Sequence, residues 1–268
     1  MKKLILGDNP FFAVSHLDSS KSEEYLKDTN RFKNASHIIK ESKILGISDF
    51  MISSHPEAND LLMMAGYSDE YKLDLPDLCI VIPNVHQINK DAAENGLFSA
   101  LKKLISLISF KRKSIIKALS GLNFSKNIKY IALHNIVSDM LIGLNSKLAF
   151  KTFYYLCKFI KVKSVIITLN PNRLLEMDVK CDVICTYYNS NGYNVCYEFE
   201  ELKNKMKANK AIEFWAMGIA ASGAIQEMDF IFDENLEIFD GALIASSKLE
   251  RITDTKSYFT KNAKFNSF

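Results

Sequence analysis

Eight short runs rich in Ile, Val, Leu and Phe recur along this chain of 268 residues, six of them closed by Gly, Asn, Ser or Pro and most followed by apolar residues at helical spacing. They are Lys3 to Leu6, Asp49 to Ile52, Leu78 to Ile82, Tyr130 to Leu133, Ser164 to Leu169, Asp182 to Thr186, Glu213 to Met217 and Gly241 to Ala245. Runs without polar alternation are buried on both faces, and intervening helices return the chain to the same end of a sheet, so the strands pair in parallel. Eight such units predict an α/β fold, a closed (β/α)8 (TIM) barrel. A doubly wound open sheet is the competing arrangement.

Helix formers with apolar periodicity predict helices over Phe32 to Leu45, Asn95 to Leu119, Lys147 to Ile160 and Phe199 to Ala208. Asp229 to Asp240 reads as an extra loop or hairpin. No repeat, low-complexity tract or linker divides the chain, so residues 1–268 are expected to form a single domain, with a long basic helical segment around 95–125. Its 48% hydrophobic content is ample for one core.

A formal charge of +3 does not argue for nucleic acid. Lys102 to Lys129, however, holds eight Lys and Arg and no acid, which implies a solvated helix face or weak contact with a membrane or acidic partner. The five cysteines lack a CxxC pair and read as packed, reduced thiols. Gly7-Asp8-Asn9-Pro10 interrupts the first apolar run too early for a signal peptide, and no run reaches bilayer-spanning length, so a cytoplasmic protein is expected.

In a parallel barrel the strand carboxyl ends meet on one face, where active sites lie. Four histidines fall near such ends: His16, His55, His86 and His134, while His37 sits within a helix. Imidazole exchanges protons near neutral pH, so His134, His55 and His86 are candidate acid–base residues, with Asp8 and Glu57 as carboxylates that orient a histidine or bind hydroxyls. Asn9, Asn84, Asn135, Asn170, Asn189 and Tyr188 are candidate substrate contacts. A metal is possible from imidazoles plus Asp8 or Glu57, but no HxH or HExxH spacing favours one. No strand end offers an imine-forming lysine, and Cys185 reads as packed rather than nucleophilic.

Two late segments suit an anion. Gly218, Ser222 and Gly223 follow strand seven; Ser246, Ser247, Lys248 and Arg251 follow strand eight and open the last helix. Small residues allow close backbone approach, and barrels often hold phosphate after strands seven and eight. A small, phosphorylated substrate is expected.

Gly46-Ile47-Ser48-Asp49-Phe50, Ile131-Ala132-Leu133-His134-Asn135 and Ile244-Ala245-Ser246-Ser247 with Arg251 resemble the second strand, the strand-four histidine and the last phosphate-binding strand of the aldo/keto reductase superfamily. The resemblance implies a barrel, NAD(P) as cofactor, and a proton-donating Tyr assisted by Lys and Asp, with a His orienting the carbonyl. Only His134 carries over. Where the Asp and Tyr would fall the chain reads Met51-Ile52-Ser53-Ser54-His55-Pro56, and strand three ends Ile82-Pro83-Asn84 without Lys. The residues therefore point first to histidine acid–base chemistry, a lyase, aldolase-like or isomerase reaction on a small phosphorylated or sugar-derived substrate. An NAD(P)-dependent oxidoreductase and a non-catalytic binding or scaffold barrel are the alternatives, and the cofactor is left open.

Overall fold

The computed structural model describes residues 3–13, 27–83 and 125–261. Its strands are β1 Lys3–Gly7, β2 Asp49–Ser53, β3 Asp77–Ile82, β4 Ile128–Leu133, β5 Lys163–Ile167, β6 Val183–Tyr187, β7 Glu213–Met217 and β8 Gly241–Ile244. All pair in parallel in chain order, and β8 closes on β1 through the register Lys3↔Gly241 to Leu6↔Ile244. Closure makes this a (β/α)8 barrel and excludes the open doubly wound sheet.

The flanking helices are α1 Arg31–Ile44, α2 Ala58–Ala65, α3 Asn135–Gly143, α4 Lys147–Phe159, α5 Pro171–Glu176, α6 Phe199–Ala208, α7 Met228–Ile231 and α8 Leu249–Lys261. β7 and α6 have the bounds expected from sequence, whereas Asp229 to Asp240 is neither hairpin nor open loop. It forms the end of α7 and a 3-10 turn, Glu234–Ile238, whose start is fixed by Asp233 Oδ1 accepting from the Leu236 N–H at 2.9 Å. An N-cap carboxylate satisfies an orphan helix donor, and that local bond overrides the weak apolar periodicity of so short a segment. The expected helix over Asn95 to Leu119 lies outside the described residues.

Side chains alternate along each strand between two separate apolar layers. Ile5, Met51, Cys79, Ala132, Val165 and Trp215 are among those filling the barrel, while Leu4, Phe50, Ile80, Leu133, Ile166 and Phe214 pack outward under the helices. The barrel's amino-terminal end is closed by a polar plug. Lys3 Nζ lies 3.0 Å from Asp49 Oδ2 and 4.4 Å from the Trp215 ring centroid, and it donates to the Tyr130 hydroxyl at 3.2 Å. A half-buried ammonium is tolerated there because a carboxylate and aromatic faces replace its water. With this end sealed, the carboxyl ends of the strands carry the accessible face.

Candidate active site

His134 follows β4 directly and is the N-cap of α3, its Nδ1 accepting the Ile136 N–H at 3.2 Å. An Nδ1 that accepts cannot hold the ring proton, so the neutral imidazole carries it on Nε2. The first turn of α3 is stapled to the end of β5. Ser138 Oγ donates to the Ile167 carbonyl, and Asp139 accepts from the Thr168 hydroxyl and, at 3.2 Å, from the Leu169 N–H. Burial pushes the Asp139 carboxyl up, against the pull of those donors. Ser138 and Asp139 therefore fix the helix whose cap is His134, a role that no local motif signals.

Around β1 and β2 the structure gives Asp8, His55 and Glu57 three partners that were not sequence candidates, Ser53, Phe12 and Arg31. Buried Asp8 accepts from the Ser53 N–H at 2.7 Å and the Ser53 hydroxyl at 2.6 Å. His55 Nδ1 accepts the Glu57 N–H at 3.2 Å, the same backbone capture as at His134, and its ring stacks on Phe12 at 4.5 Å. Glu57 is ion-paired with Arg31 Nη2 at 2.6 Å, which joins the start of α1 to the start of α2. That charge-assisted bond occupies the Glu57 carboxylate. Arg31 lies far from any strand end in sequence, so only the tertiary fold reveals it.

The asparagines sit at element starts. Asn9 is exposed and opens a 3-10 turn, Asn135 is the first residue of α3, and exposed Asn170 caps α5 by accepting the Arg173 N–H at 3.2 Å. Asn189 is buried and internally bonded: it donates to the Tyr193 carbonyl at 2.9 Å and the Gly218 carbonyl at 3.2 Å, and accepts the Tyr193 N–H at 2.8 Å. The hydroxyl of Tyr188 donates to Asp233 Oδ2 at 2.6 Å, and its ring packs in the outer layer against Phe199 and Phe239. By strand alternation its neighbour Tyr187 faces the barrel mouth instead, on the side of Val183 and Cys185. Cys185 is fully buried, and burial pushes its thiol up, away from the nucleophilic thiolate. His16, His86 and Asn84 lie outside the described residues. Among the described residues, no three His, Cys, Asp or Glu side chains are placed to hold a metal ion.

The loops after β7 and β8 are joined by Arg251, whose Nη2 donates to the Gln226 carbonyl at 3.0 Å. Ser222, Gly223, Ser247 and Lys248 are exposed on them, and Ser246 Oγ accepts the Lys248 N–H at 3.0 Å just before α8. Ser222 and Gly223 both have positive φ, 58° and 94°. A Cβ built on Gly223 would meet no atom within 4 Å, so open space lies before it. Gly218 has a different duty: with φ +70°, its missing Cβ makes room for the Tyr187 ring. Exposed hydroxyls, Lys248, Arg251 and the start of α8 lie on this side of the mouth, with Glu250 in the same helical turn opposing an anion. β4 is four strands from β8 in the closed barrel, so His134 faces these residues across the mouth.

No family model matches the sequence, and no curated protein does. Solved structures match in three dimensions, among them two of provisionally named aldo-keto reductases from Pseudomonas aeruginosa. One has a TM-score of 0.59 at 15% identity, covering 95% of this chain and 88% of that one; the other has 0.56 at 15%, covering 95% and 89%. The likeness is one of fold. It makes the chain a (β/α)8 barrel that distantly resembles the aldo/keto reductases. Here Ser53 stands at the end of β2 and Pro83 follows β3, without the Asp, Tyr and Lys of that superfamily.

Proposed function

We propose that this barrel is an NAD(P)-dependent oxidoreductase of a small carbonyl compound, built on the aldo/keto reductase plan with a changed proton-handling set. The observation that carries this reading is the fold likeness over 95% of the chain to proteins named as aldo-keto reductases. It favours a redox reaction over the lyase, aldolase-like or isomerase chemistry that the histidines alone imply. Ser246, Ser247, Lys248 and Arg251 would hold the dinucleotide phosphates, with Ser222 and Gly223 on the neighbouring loop beside them. A reduced nicotinamide held there would supply the hydride for a carbonyl carbon. His134 presents Nε2–H to the carbonyl oxygen while the Ile136 N–H holds Nδ1, so it polarises the carbonyl as a neutral donor. Tyr187 supplies the phenol whose proton the oxygen takes, and burial keeps that proton on Tyr187 until it is needed.

The test is turnover of NADPH and NADH with a panel of aldehydes and ketones, followed by absorbance of the reduced nicotinamide. His134→Gln is expected to lower turnover about 100-fold or more, the scale of a lost proton-handling group. An unchanged rate in His134→Gln would remove its role. Conversion of a phosphorylated sugar without any nicotinamide requirement would return the assignment to the lyase or isomerase class.

A further inference from the structure

Residues 95–175 contain 14 of the chain's 34 Lys and Arg but, in Asp139, one of its 31 acids, so the remaining sequence is net negative. Within the described part of this tract, α4 carries no acid and has two apolar faces. Ala149, Phe150, Phe153 and Cys157 are buried, whereas Leu148, Tyr155 and Phe159 are 74%, 50% and 64% exposed, with Leu144 in the preceding turn. Positions 148, 155 and 159 fall on one side of a helix, and Lys147 and Lys151 run along one edge of that stripe. At the foot of α4 a hollow is lined by Lys129, Lys158, Lys161 and Lys163, with Tyr130 and Val162. Lys129, Lys158 and Lys163 pair with Asp77, Asp182 and Glu213, while Lys147, Lys151 and Lys161 make no ion pair among the described residues.

We propose that α4 and the lysine-lined hollow at its foot dock this barrel on an anionic lipid bilayer. Exposed Leu, Tyr and Phe beside unpaired lysines are what an interfacial helix needs: apolar side chains enter the acyl boundary while ammonium groups meet headgroup phosphates. A nucleic-acid backbone would use the lysines but would leave Leu148 and Phe159 in water. A second copy across a two-fold axis would set the same lysines against each other. The hollow opens at the starts of β4 and β5, the end of the barrel opposite His134 and Ser246, and the stripe runs up the side of the barrel from there.

The test is co-sedimentation of the full chain with vesicles of phosphatidylcholine alone or mixed with phosphatidylglycerol. Binding is expected only to the mixed vesicles and is expected to fall steeply with added salt. Each lysine contributes about fivefold near an anionic surface, so Lys151→Gln with Lys161→Gln is expected to lower the partition about 25-fold. Leu144→Ser with Leu148→Ser, at strongly exposed positions, is expected to lower it further with circular dichroism unchanged. Equal binding to both vesicles, binding to neither, or retention of binding in both double variants overturns the proposal. So does salt-sensitive binding to RNA or DNA that ignores the Leu144→Ser, Leu148→Ser change.

Discussion

Gly218→Ala tests how the mouth of the barrel is built. Gly218 has φ +70°, and a Cβ there would lie 2.6 Å from Tyr187 Cδ1 and 2.9 Å from Cε1. The left-handed conformation costs an L residue roughly 1–2 kcal/mol. Forcing a methyl against a ring held by its neighbours adds about 1–3 kcal/mol, for a combined loss of about 2–5 kcal/mol. The assay is urea unfolding followed by fluorescence of Trp215, the single tryptophan, which is buried inside the barrel. Tyr187→Ala removes the ring, so in that background Gly218→Ala is expected to cost only the roughly 1–2 kcal/mol of the backbone. The reasoning fails if Gly218→Ala costs the same with and without the Tyr187 ring, or less than about 0.5 kcal/mol in the native background.

Lys3→Met leaves Asp49 and Glu213 at the barrel base without their shared ammonium; because Lys3 is partly exposed, a destabilisation of about 1–3 kcal/mol is expected in the same assay, and Lys3→Arg is expected to recover part of it. Asp182 accepts from Lys158 Nζ at 2.6 Å and from the Ser164 N–H and hydroxyl at 2.8 and 2.9 Å. Burial raises its carboxyl, but these donors outweigh burial and hold it below its ordinary value. Its stabilisation is therefore full above the unfolded-state carboxyl range and is lost as pH falls through the lower folded-state value. Asp182→Asn is expected to cost about 2 kcal/mol near neutral pH and clearly less in acid, which unfolding midpoints across pH will show.

The barrel was legible because its strands are continuous apolar runs with clear stops, and β7 needed no revision at either end. Continuous runs hide the face of each residue, however. Tyr187 and Tyr188 read alike in sequence, and only strand register turns one into the mouth and the other toward Phe199 and Phe239. His134 was visible as an imidazole at a strand end, while the staple of Ser138 and Asp139 onto β5 was not, since its partners stand 29 and 30 positions away. Arg31 with Glu57 and Lys3 with Glu213 are hidden for the same reason. The stripe on α4 escaped because its apolar residues read as core; burial separates the two faces that periodicity merges.

Isothermal titration of the full chain with NADPH addresses the central claim most directly. Saturable binding at one site is expected, weakened at least tenfold by Arg251→Ala and by Lys248→Ala but not by Lys151→Gln on α4. Absence of heat with NADPH and NADH alike, in a chain shown to be folded, would contradict the oxidoreductase assignment.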